Sequence, residues 1–198
     1  DLLKAAVKHQ AMLIYLDQSN SIGPNSPAGK RRKAGLNENL AREILELHTL
    51  GVHGGYTQAD VTEFAKLMTG WGIDRNAGTA DYRRQTAEPG SKTILGKSFG
   101  GARPEAGDFD EALDFLAAHP ATARHVATRL VLHFISDNPS ADSVADVEKA
   151  FIASGGNLPD VYRALGALPE ARARTGAKAR NGRDFLIDLD GRAQRARQ

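Results

Sequence analysis

LNENLAREILELHTLGVHGGYTQADVTEFAKLMTGW, residues Leu36 to Trp71, reads as two helices joined by a glycine turn. Asn37 is placed as an N-cap, and Glu38 in the first turn suits the positive end of the helix dipole. The first helix is expected to run from Asn37 to Leu50. At about 100° per residue, Leu40, Ala41, Ile44, Leu45, Leu47 and His48 share one face, and Asn39, Arg42, Glu43 and Glu46 share the other. Gly51 and Gly54-Gly55 supply the reversal. Thr57 with Asp60 then forms a capping box, and Val61, Phe64, Ala65 and Met68 make the apolar stripe of the second helix. Thr69-Gly70-Trp71-Gly72 ends it.

The same helical period extends to both sides. Leu2, Leu3, Ala6, Val7, Leu13 and Ile14 give one amphipathic helix or two short ones. From Asp17 to Gly35 turn formers and the basic run Lys30, Arg31, Arg32, Lys33 predict a mobile loop. Between residues 73 and 107 the period disappears, and Asp81 to Thr86 with Lys92 to Leu95 are expected as the two strands of a small hairpin. Asp108 with Glu111 predicts a cap for the helix carrying Phe109, Ala112, Leu113 and Leu116. Pro120 starts another, with Ala123, Val126, Ala127, Leu130, Val131 and Phe134 as its stripe. Residues 140–154 and 158–168 give two more. The expected fold is therefore all-α, an irregular multi-helix domain with at most one small β-hairpin, covering residues 1–170 as a single domain.

The chain has 198 residues, 41% apolar and 25% charged, as is ordinary for a soluble globular protein. No apolar run reaches the roughly 20 residues of a membrane span. A formal charge of +2 gives no reason to expect nucleic acid. From Arg172 onward there are eight Lys and Arg against three Asp, so residues 171–198 are expected as a basic, weakly ordered tail. Without cysteine, disulfides, Cys-ligated zinc and thiol catalysis are excluded. The chain starts at Asp1 within a helical pattern, so any export signal would lie upstream and the chain is expected to be a fragment.

The polar face of the central helix holds the candidate chemistry. Glu43 and Glu46, three apart beside Asn39, are spaced as paired carboxylates for a divalent metal or for acid and base roles, with Arg42 orienting a substrate. The opposing reading is structural: Glu38, Arg42 and Glu46 are each four apart and form ordinary helix ion pairs. His48, about 160° around the helix from Glu46, is expected as a core histidine rather than a ligand. His53 in the glycine turn is better placed to join Glu46 or Asp60, which makes Glu43, Glu46 and His53 the metal candidates, none of them a firm ligand. Tyr56, Asp60 and Trp71 are the binding candidates around the turn. Trp71 either stacks on a ligand or closes the core. The Gly51 to Gly55 turn lacks the spacing of a phosphate loop, and a Gly-x-Ser-x-Gly elbow is absent.

The stretch NENLAREILELHTLGVHGGYTQADV followed by Leu67-Met68-Thr69-Gly70-Trp71 resembles the signature of the bacterial family catalogued as domain of unknown function 1800. The resemblance extends to His9-Gln10-Ala11-Met12-Leu13, Lys92-Thr93-Ile94-Leu95-Gly96, His119-Pro120-Ala121-Thr122-Ala123 and Ser154-Gly155-Gly156. The chain departs from the family pattern at Gln10, where Pro is usual, at His53, where Asp is usual, and in the Thr86-Ala87-Glu88 stretch, where a His is usual. The resemblance implies an exported bacterial protein accompanied by a sulfatase-related companion, and no established activity. Two readings follow: a non-catalytic module that assembles with a companion protein through the basic run and the polar stripe, or a metal-assisted or acid/base hydrolase on the helix Asn37 to Leu50.

Overall fold

A computed structural model describes residues 2–32, 35–74 and 76–172. Among these the chain is mostly helical, with two small two-stranded antiparallel sheets. The described residues divide into two compact units, with the boundary between His125 and Val126.

The first unit opens with two short helices, α1 (Leu2–Val7) and α2 (Gln10–Tyr15). His9 separates them: its Nδ1 accepts the N–H of Ala11 at 3.2 Å and so caps α2. The segment expected as a loop contains a 3-10 turn, Gln18–Asn20, and a helix α3, Pro27–Arg32. Pro27 at the first position and the Ser26 hydroxyl, which accepts the N–H of Gly29 at 3.0 Å, start that helix despite its weak apolar pattern. Lys33 of the basic run lies outside the described residues.

Helix α4 (Asn39–Glu43) begins where Asn37 Oδ1 accepts the N–H of Asn39 at 2.8 Å, then passes into a π-helical turn at Ile44–His48. The wider turn shifts the phase of the side chains beyond Ile44. Leu47 is consequently 58% exposed and His48 is exposed too, which corrects the expectation that both belong to the buried face. Gly51, at φ +82°, completes the turn with its N–H on the Leu45 carbonyl at 3.0 Å. A Cβ there would lie 2.6 Å from Nδ1 of His125. The imidazole Nε2–H of His125 in turn donates to the Leu47 carbonyl at 3.2 Å.

Helix α5 (Gln58–Met68) starts with the expected Thr57–Asp60 capping box. Two hairpins follow rather than the single one expected: β1 (Trp71–Asp74) pairs with β2 (Thr79–Tyr82), and β3 (Lys92–Ile94) with β4 (Lys97–Phe99). The strands are three or four residues long, too short to show an alternating pattern, and the second turn uses Leu95 and Gly96 at φ +49° and +78° in place of Asn-Gly. Helix α6 (Ala106–Ala117) is capped by Glu105, whose N–H donates to Asp108 Oδ2 at 2.9 Å, three residues earlier than the Asp108–Glu111 pattern implied.

The core of this unit is built on α4, α5 and α6. Leu13, Leu40, Ile44, Leu45, Phe64, Met68, Ile94, Phe109, Leu113 and Leu116 are all at most 1% exposed. The rings of Phe64 and Phe109 stand 5.9 Å apart. Trp71 closes this core: it packs against Tyr82 at 5.6 Å and Phe109 at 6.3 Å, with the Lys8 ammonium 5.0 Å from its ring centre.

Helix α7 (Pro120–Phe134) contributes to both units, the division falling after His125. The second unit packs Ala127, Val131, Val144, Val147, Val161, Leu165 and Leu168 together. These come from α7, α8 (Ala141–Ala153, capped by Ser140), α9 (Leu158–Ala167, capped by Asn157) and the residue before α10 (Pro169–Arg172). The basic tail expected from residue 171 lies, from residue 173 on, outside the described residues.

Candidate binding site

The polar face of the central helix is joined to the start of α5. The Thr62 hydroxyl donates to Glu38 Oε1 at 2.6 Å, and Gln58 Nε2 donates to Glu38 Oε2 at 2.9 Å. Arg42 reaches Gln58 Oε1 at 2.9 Å and lies 3.4 Å from both Glu38 and Glu46. A guanidinium thus already sits between two of the carboxylates, and the glycine turn is clasped from both sides. Tyr56 joins through Glu46, and burial followed by the Glu46 carboxylate holds its phenol above the usual range. Glu43 lies half-buried on the same helix, Asn39 and His53 are exposed, and Asp60 sits at the other end of the turn. Among the described residues no group of three His, Asp or Glu side chains is arranged to hold a metal, so Glu43, Glu46 and His53 do not converge with a third donor into such a set.

The clasp carries a pH dependence. The Thr62 hydroxyl, then Gln58 and Arg42, hold the Glu38 carboxyl below its ordinary 4.5, against the opposing effect of burial. A depressed folded pKa stabilises the fold above the unfolded value, and that stability is lost as pH falls through the folded one. The midpoint of thermal unfolding is therefore expected to drop as pH falls below about 4.5, and the drop in Glu38→Gln should be smaller than in wild type.

Asp60 is a fastener between elements. Oδ2 accepts the Thr57 N–H and hydroxyl, both at 2.7 Å, and Oδ1 accepts the Leu95 N–H at 2.7 Å. Burial raises its pKa, yet the Thr57 hydroxyl and the Leu95 and Thr57 N–H groups outweigh it and hold the carboxyl below its ordinary value. The bond to Leu95 pins the β3–β4 turn, whose leading residue has the disfavoured positive φ. Asp60→Ala removes the cap and the anchor together. It should cost about 2–3 kcal/mol in urea denaturation; a loss within error of zero would show that neither bond contributes.

Open clefts lie elsewhere, around Arg83. One of about 370 Å³ is lined by Ile14, Asp17, Ser19, Asn20, Ile73 and Arg83. A second of about 180 Å³ shares Ser19, Asn20 and Arg83 with it and adds Trp71, Gly72 and Thr86. A third of about 460 Å³ shares Arg83 and Thr86 and runs between α3 and the 3-10 turn Arg84–Thr86, lined by Ala28, Arg31, Arg84 and Gln85. Arg83 donates from Nε to Asp81 Oδ2 at 2.9 Å and from its terminal nitrogen to the Ile73 carbonyl. Arg84 Nε donates to the Pro104 carbonyl at 3.1 Å. Of the lining hydroxyls, Ser21 accepts the Asn37 N–H and Thr86 donates to the Arg83 carbonyl, and the carboxylate of Asp17 lines the first cleft together with Ser19. Such a surface is equipped to bind through guanidinium, amide and hydroxyl groups.

The walls of the third cleft are locked by a buried cluster that sequence reading does not reveal. Glu88, 5% exposed, accepts the Asn25 N–H at 2.8 Å and the Asn25 Nδ2 at 2.6 Å. Its own N–H donates to Thr69 Oγ1 at 2.7 Å. The Gly23 N–H donates to the Thr86 carbonyl at 2.9 Å. The buried Lys92 ammonium donates to the carbonyls of Glu88 and Gly90. At Gly29 a Cβ would stand 2.1 Å from the Gly23 carbonyl oxygen, so only glycine admits this approach. Glu88-Pro89-Gly90 has the composition of an exposed turn, and the pairing of Glu88 with Asn25 spans 63 positions, which local patterns do not register.

Fold and site together define a helix-rich protein with a fastened polar clasp on its central helix and an open, arginine-lined surface beside it. Residues 1–190 match the family described as protein of unknown function (DUF1800), and the chain belongs to that family. Neither the curated proteins nor the solved structures give a match.

Proposed function

We propose that the chain is a binding or assembly module that acts with a protein partner, and that its binding face is the row of clefts around Arg83. One observation carries this reading. Of the two carboxylates expected to do chemistry, Glu43 and Glu46, the second is engaged by Arg42 and Tyr56 within the fold, next to Glu38 held by Thr62, Gln58 and Arg42, whereas the open clefts offer arginines, amides and hydroxyls. The family resemblance supports an exported protein with a companion, and we place the module in that setting. No helix among the described residues is long and apolar enough to cross a membrane.

The test compares wild type with Asn20→Trp, which fills two of the clefts from an exposed position. Affinity capture identifies a candidate partner, and the purified partner is then titrated with each form of the full chain. A saturable complex with wild type that is lost in Asn20→Trp, at an unchanged melting temperature, is the expected result. Equal binding by both forms would remove the clefts from the binding face.

A further inference from the structure

Resting on that reading, we infer that the cleft between α3 and the Arg84–Thr86 turn takes an extended acidic segment of a partner protein, with the Arg31 and Arg84 guanidinium groups as its carboxylate receptors. The charges in the cleft are unequal in availability. Arg83 is neutralised by Asp81 and fixed by the Ile73 carbonyl, so it forms a wall. Arg84 commits Nε to an uncharged carbonyl, which orients the side chain without an ion pair inside the cleft. Arg31 is exposed, and neither it nor Arg84 has a carboxylate partner among the described residues. The described lining of this cleft contains no acidic side chain. Two positive charges therefore face no compensating negative one within the cleft.

Preorganisation distinguishes this pair from scattered surface arginines. Both walls are tied to the buried Glu88 cluster: α3 through Asn25 and the Gly23–Gly29 contact, and the turn through the Gly23 bond to Thr86. Receptors held on rigid elements lose less entropy when they bind. A guanidinium pairs with a carboxylate through two parallel hydrogen bonds, which sets the chemistry. The shape sets the form of the ligand. The cleft is open and continues past Arg83 and Thr86 into the next one, where Ser19 and Asn20 present hydroxyl and amide groups. A single small anion in so open a place would be screened by salt, whereas a chain bearing several carboxylates engages both arginines and lays its backbone along the polar groups.

The test is a fluorescence-anisotropy titration of the full chain with a labelled flexible peptide of alternating Glu and Gly. The same peptide with Gln for Glu is the neutral control, and inorganic phosphate and a single-stranded oligonucleotide serve as competitors. The Glu peptide is expected to bind at least about tenfold more tightly than the Gln peptide, with affinity falling as salt rises. Arg31→Glu/Arg84→Glu should lose that preference and bind a Lys–Gly peptide instead. Arg31→Gln/Arg84→Gln, with its melt recorded, separates lost charge from lost fold. Equal binding of the Glu and Gln peptides, no effect of either double variant, or displacement by millimolar phosphate or preference for the oligonucleotide would each overturn the inference. If the acidic peptide fails while Asn20→Trp still abolishes binding of the captured partner, the module reading stands and only the acidic chemistry falls.

Discussion

Glu88→Ala is expected to lower the free energy of unfolding by about 3–5 kcal/mol, the range for breaking a buried charged network from one side. The carboxylate is 5% exposed and is the acceptor for two donors of Asn25, at 2.8 and 2.6 Å, which alanine leaves unpaired. Asn25 is itself exposed, so water takes over these donors and they supply only part of the loss. The loss reaches Lys92 as well. Burial holds the Lys92 ammonium below the usual lysine range, and the Glu88 carboxylate is the largest influence opposing that depression. Without it the buried cation is less favourable. Urea denaturation of wild type, Glu88→Ala and Glu88→Gln gives the measurement, with Glu88→Gln intermediate because it keeps an acceptor and the side-chain volume. A loss below about 1 kcal/mol for Glu88→Ala would mean that the cluster is not what joins α3 to the segment after β2.

Phe64→Ala is expected to cost a similar amount, about 3–5 kcal/mol, for a different reason. Phe64 is 0% exposed at the centre of α5, with its ring 5.9 Å from that of Phe109 on α6. Truncation removes its transfer free energy and leaves a cavity that α4, α5 and α6 line together, and regular helices collapse into such a void only in part. With total stabilities of about 5–15 kcal/mol for a domain, either variant uses a large share of what the fold has. The two are distinguished by Phe64→Leu, which should recover most of the loss, whereas no apolar replacement rescues Glu88. Near-wild-type stability of Phe64→Ala would place the core elsewhere.

The helices that carry long apolar stripes are legible in the sequence. Val61, Phe64, Ala65 and Met68 recur at helical spacing behind the Thr57–Asp60 box, and all four are at most 1% exposed. Gly51 and Pro120 mark a reversal and a helix start on sound backbone grounds. Winding beyond Ile44 is not legible, because a π turn changes the phase without changing the composition, and it turns Leu47 and His48 outward. Strands of three or four residues give no alternation to detect, so β1 and β4 escape notice, and the strand expected over Asp81 to Thr86 is instead Thr79–Tyr82, paired with β1, followed by a 3-10 turn at Arg84–Thr86. The polar side chains divide in the same way. Arg42 with Glu38 and Glu46 is visible as a four-residue spacing, and the bonds to Gln58 and Thr62 that make it a clasp are tertiary. The Lys30 to Lys33 run points to a basic surface, while the partners that complete the cleft, Arg83 and Arg84, sit some fifty positions away and meet Arg31 only in the fold.

The reading proposed above makes Glu38 and Glu46 of the central helix fasteners of the glycine turn rather than ligands of a metal or substrate. Metal analysis of the purified full chain, with thermal melts in the presence and absence of chelator for wild type and Glu46→Gln, tests it most directly. No stoichiometric metal is expected in either form, and chelator should leave the wild-type midpoint unchanged. Glu46→Gln should melt slightly lower, again independent of chelator. A metal bound at a fixed ratio in wild type, lost in Glu46→Gln and needed for the wild-type midpoint, would contradict the account and make that helix a metal centre.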